Sequence, residues 1–121
     1  MLAQRFIIAL TLSALAVPAV ADTPEQKMFR TARAVVRLHL LTTFCSPFYL
    51  VDKVKVDSLA VAMLKDGINR FGQAQMKQAL DAIDQEFAPI ITRDGAATWC
   101  PAQRLTYRKL GLPDLIGGPL R

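Results

Sequence analysis

Two cysteines, Cys45 and Cys100, are the only ones in the chain, and what they are free to do limits the fold more than any other feature. Their fate depends on the compartment they meet. The chain opens MLAQRFIIALTLSALAVPAVADTPEQ, with a cation at Arg5, an apolar run from Phe6 to Val17, a break at Pro18 and small residues at Ala19 and Ala21. That is the pattern of a secretory signal peptide cleaved after Ala21. The apolar run is shorter than the roughly 20 residues a membrane-spanning helix needs. Residues 1–21 are therefore expected to be removed, leaving a periplasmic mature chain.

Export brings both thiols into an oxidising space, where a single bridge is the one intramolecular option for two cysteines. The bridge would close a separation of 55 residues, for which chain entropy gives about 4 kcal/mol. A redox, haem or nucleophilic role lacks its partners, because there is no Cys-x-x-Cys, no Cys-x-x-Cys-His, and His39 is the sole histidine. The expectation is a Cys45–Cys100 disulfide, with a reactive or intermolecular thiol as the competing reading.

Without the signal the chain keeps 100 residues, enough for one domain. Arg5 leaves with it, so 14 Lys and Arg stand against 10 Asp and Glu, a net charge of +4. A nucleic-acid binder of this size would carry denser basic clusters with exposed aromatics among them, so no nucleic-acid partner is expected.

Periodicity predicts helices. Thr23 can cap, Pro24 suits a first helical position and Gln26 completes a capping box, opening a helix to about Phe44. Its apolar row is Phe29, Ala32, Val36, Leu40 and Phe44. Ser46-Pro47 breaks it, and residues 48–56 are read as a turn, with a short strand as the alternative. Asp52 can cap a second helix, which Gly67 is placed to end. Met76, Leu80, Ile83 and Phe87 mark a third helix to about Ala88, and Pro101 opens a short fourth that Gly111 closes, after a turn at Asp94-Gly95. The Gly- and Pro-rich residues 113–121 are read as a flexible tail, leaving a helical domain over 22–112. The fold class expected is all-α, a small bundle of about four helices closed by one disulfide.

Little in this chain assembles chemistry. A triad or a metal site needs histidines or clustered carboxylates and thiolates, and His39 stands alone, read as a partly buried helix residue. Asp81 and Asp84 are read as a wetted face, with Lys77 in place to pair with Asp81. Trp99 is read as packing against the bridge. No catalytic residue, cofactor or metal is expected, and the protein is not expected to be an enzyme. The one functional-looking surface is a basic stripe on the first helix, Lys27, Arg30, Arg33 and Arg37. Its bland reading is a solvated face. Its functional reading is a contact with an acidic partner or, weakly, an anionic membrane surface.

Around the first cysteine the chain reads Cys45-Ser46-Pro47-Phe48-Tyr49-Leu50-Val51-Asp52, a Cys-x-x-Phe-x-x-Val-Asp pattern. This resembles the segment around the first cysteine in the periplasmic acid-stress chaperones of the HdeA and HdeB kind. CPAQRLTYRKL, from Cys100, is similar to their basic last segment. The chain departs from them in its long first helix, its wider cysteine separation and its Gly-Pro-Leu tail. The resemblance implies a small helical protein with Cys45 and Cys100 as its bridge, a homodimer that opens in acid to hold unfolding clients. Below about pH 3 the carboxylates protonate, and the mature charge would climb from +4 towards +15. The function expected is protein contact, as an acid-stress chaperone for protein clients. The alternative is an accessory or inhibitory subunit docking its basic helix on an acidic envelope partner.

Overall fold

The computed structural model describes residues 22–120. The expected signal peptide lies outside them. The first helix, α1 (Pro24–Leu40), begins as its sequence dictates. Thr23 Oγ1 accepts from the Gln26 N–H at 3.2 Å and Gln26 Oε1 accepts from the Thr23 N–H at 2.8 Å, so both arms of the capping box close. Ala32, Val35, Val36 and Leu38 bury its apolar face.

The helix does not run regularly on to Phe44. Its last turn widens over Leu41–Cys45, where the Ser46 N–H reaches back five residues to the Leu41 carbonyl at 3.0 Å. Such a π turn takes one extra residue into the ring, and here both of its ends, Leu41 and Cys45, are fully buried. A three-residue strand follows, β1 (Tyr49–Val51), and then α2 (Lys53–Phe71). Segment 48–56 is thus part strand and part helix. Asp52 caps α2 as expected, accepting from the Lys55 N–H at 3.1 Å.

Gly67 does not end α2. It is buried inside the helix, where an added Cβ would lie 2.9 Å from Met76 Cε and 3.2 Å from Thr31 Cγ2. Its missing side chain lets three helices meet at one level. Gly72 alone then joins α2 to α3 (Gln73–Lys109).

The expected four-helix bundle is corrected to three helices with a small two-stranded sheet. The turn expected at Asp94-Gly95 is present as a one-residue kink: Gly95 takes φ 72° and ψ 169° and joins two helical segments of α3 with no loop between them. Pro101 therefore lies inside α3. The chain changes direction at one residue that tolerates positive φ.

The reading of 113–121 as a flexible tail is corrected over the described residues 113–120. Leu115 and Ile116 are fully buried, and β2 (Ile116–Pro119) pairs antiparallel with β1. The Asp52 N–H donates to the Leu115 carbonyl at 3.2 Å and the Leu120 N–H to the Phe48 carbonyl at 2.8 Å. Two adjacent apolar side chains anchor a segment whose Gly and Pro content otherwise suggests a loose end.

The disulfide joins Cys45, at the end of the π turn, to Cys100 in the second half of α3, with Cα atoms 5.9 Å apart. Trp99 packs beside it, edge-on to Phe44 at 6.1 Å and to Phe87 at 6.4 Å between ring centroids. The bridge and this aromatic trio hold the C-terminal half of α3 on the body of the protein. α1 lies at the centre, packed against both α2 and α3, which meet each other less.

Candidate functional site

Each member of the basic stripe on α1 has a distinct setting. Arg30 pairs with Asp22. Arg33 makes a two-pronged contact with Glu86 of α3, Nε to Oε2 at 3.1 Å and Nη2 to Oε1 at 3.2 Å. Arg37 lies over the Phe87 ring, 5.9 Å from its centroid, and its buried Nε has no hydrogen-bond partner. Lys27 is exposed and has no ion pair among the described residues. Three of the four cations are thus engaged within the chain, two of them tying α1 to α3.

Arg37 also faces Tyr107. Burial pushes the Tyr107 hydroxyl up to about 12, partly offset by the Arg37 charge. Asp94 is held below the usual carboxylate range by the hydrogen bond from Arg93. Both partners there are in water, so the shift marks a local contact and not a site.

His39 is exposed, contrary to its reading as partly buried. It lines a groove of about 490 Å³ between the three helices. Val35 and Val36 of α1 form the floor, and Ala60, Val61 and Leu64 of α2 face Leu80 of α3 across it. Asp57 and Asp84 complete the lining from α2 and α3. No ion pair links Lys77 to Asp81 among the described residues.

A second apolar surface lies on the strand pair. Side chains alternate along β1, so Tyr49 and Val51 turn to the body while Phe48 and Leu50 are 56% and 61% exposed. Leu120, hydrogen-bonded to Phe48 through the backbone, is 48% exposed. Beside them an apolar cleft of about 400 Å³ runs between Phe48, Tyr49 and Pro119 on one side and Ala96 and Ala97 on the other. Sequence reading missed both surfaces. The alternation in FYLV was a visible signal for the second. The groove had no local signal, because it depends on how the helices splay.

Among the described residues no three His, Cys, Asp or Glu side chains are grouped to hold a metal ion, and no helix is long and apolar enough to cross a membrane. Cys45 and Cys100 are both in the disulfide, a bond characteristic of proteins in oxidising compartments. Compared with family models, with curated proteins and with solved structures, the chain matches none.

Proposed function

We propose that this is a periplasmic protein that works by contact with other proteins, holding apolar segments of unfolding clients under acid stress. The observation that carries the reading is the apolar surface of Phe48, Leu50 and Leu120 beside the cleft on the strand pair. A strand pair displaying large apolar side chains, fastened to the body by a disulfide four residues before β1, offers a sticky surface that does not require global unfolding. The resemblance around Cys45 points to the same class.

Acid would widen that surface. Among the described residues two ion pairs join distant parts of the chain, Arg33–Glu86 and Lys55–Asp114, and both disappear once their carboxylates protonate. Each is exposed and contributes about 1 kcal/mol at most. The larger effect is self-repulsion, as the charge of the mature chain climbs from +4 towards +15. The disulfide limits how far the chain can then expand. An acidic partner docking on the basic stripe would compete with Glu86 and Phe87 for Arg33 and Arg37.

The test is suppression of client aggregation between neutral pH and about pH 2, with dye-reported apolar exposure followed in parallel. Suppression should rise with exposure as pH falls and should weaken in a Phe48→Ser/Leu50→Ser variant. A client that aggregates equally with and without the protein across the range would overturn the proposal.

A further inference from the structure

The groove over α1 has a direction. Thr31, Gly67 and Met76 meet at one level, which places the middle of α1, the end of α2 and the start of α3 together. From that level His39 is eight residues along α1, Asp57 ten residues back along α2 and Asp84 eight residues along α3. At about 1.5 Å per residue these three are carried some 12–15 Å to the same end of the bundle. The groove is thus apolar along its length, with two carboxylates and an imidazole at one end.

The charge there is unusual for this chain. In the mature chain cations outnumber acids 14 to 10, and five carboxylates, those of Asp22, Asp66, Glu86, Asp94 and Asp114, have ion-pair partners. Asp52 is used as a helix cap. Glu25, Asp57, Asp81 and Asp84 have no ion-pair partner among the described residues, and of these Asp57 and Asp84 stand on opposite walls of the same apolar groove. Two like charges so placed favour a cation between them. The volume lies in the range of small-molecule sites, which are mostly apolar with a few converging polar groups. Along α2 the lining runs from Asp57 to Leu64, about 10 Å.

We infer that this groove is a binding site for a small amphiphilic cation, a hydrocarbon body bearing one ammonium head. The body lies over Val35, Val36 and Leu80, and the head sits between Asp57 and Asp84, with the His39 side chain beside them on the lining. This site is separate from the surface on the strand pair and does not depend on client holding.

Calorimetric titration of the oxidised protein at pH 7.5 and low salt, using octylammonium, octanoate and octanol below their aggregation limits, tests the assignment. Octylammonium should bind saturably with one site per chain, at least roughly fivefold tighter than octanoate. Asp57→Asn/Asp84→Asn should remove that preference while leaving octanol binding unchanged. Both side chains are exposed, so the variant should keep its melting temperature. Asp81→Asn, an exposed carboxylate outside the lining, should change nothing. Equal binding of octanoate, an unaffected double variant, or binding shown only by a lysine-bearing amphipathic peptide and not by octylammonium would overturn the inference.

Discussion

Removing the disulfide by Cys45→Ala/Cys100→Ala, or by reduction, should cost about 4 kcal/mol of unfolding free energy. The figure comes from the 55-residue separation, which in the chain-entropy relation corresponds to about 14 cal/mol/K of lost loop entropy, or about 4 kcal/mol at 25 °C. Domains of this size are stable by about 5–15 kcal/mol, so the bridge supplies a large share. A loss of that size would lower the melting temperature by roughly 15–30 °C. Structurally, the release should be felt first where the bridge holds α3 to the π turn, and so in the packing of Trp99 on Phe44 and Phe87. Guanidinium unfolding followed by Trp99 fluorescence, on oxidised, reduced and double-alanine protein, measures it. The unfolding slope should also steepen, because an uncrosslinked chain exposes more surface. A difference below about 1 kcal/mol would refute the reasoning, since it would mean the unfolded chain is already confined without the bridge.

Other side chains give sharp outcomes. Trp99→Ala deletes the Trp99 contacts with the Phe44 and Phe87 rings and should cost about 3–5 kcal/mol, read by thermal melting. Gly67→Ala sets a helix-propensity gain of about 1 kcal/mol against overpacking of about 1–3 kcal/mol, since the new Cβ would meet Met76 and Thr31. Net destabilisation is expected, and Met76→Ala in the same chain should relieve the clash. Tyr107 is neutral when folded up to about pH 12, while its unfolded form ionises near pH 10. Its contribution is present in full below pH 10 and declines as pH rises towards 12, a loss of about 2–3 kcal/mol that Tyr107→Phe should abolish in alkaline denaturation. Arg33→Gln, which removes an exposed strut, should cost no more than about 1 kcal/mol.

Local sequence determined the features whose partners lie within a few residues. Thr23, Pro24 and Gln26 specify the start of α1, and Asp52 that of α2, because a cap is a hydrogen bond between near neighbours. The disulfide was legible for a different reason: with two cysteines the pairing is a matter of counting. Tertiary structure decided what these elements do once they meet. The arginines of α1 are periodic and look solvated in sequence, yet Arg33 and Arg37 become struts because Glu86 and Phe87 arrive from about 50 residues away. Gly67 reads as a helix stop from its neighbours, whereas its role is set by Met76 and Thr31 on two other helices. The tail reads as loose because Gly and Pro dominate its composition, whereas Leu115 and Ile116 find a core that no local pattern could announce. The groove is the extreme case. Its floor and walls come from three helices, and its charged end exists only because their register brings His39, Asp57 and Asp84 to one level. Hydrogen bonds between near neighbours can be read along a line, but burial and charge pairing depend on which distant surfaces the folded chain brings together.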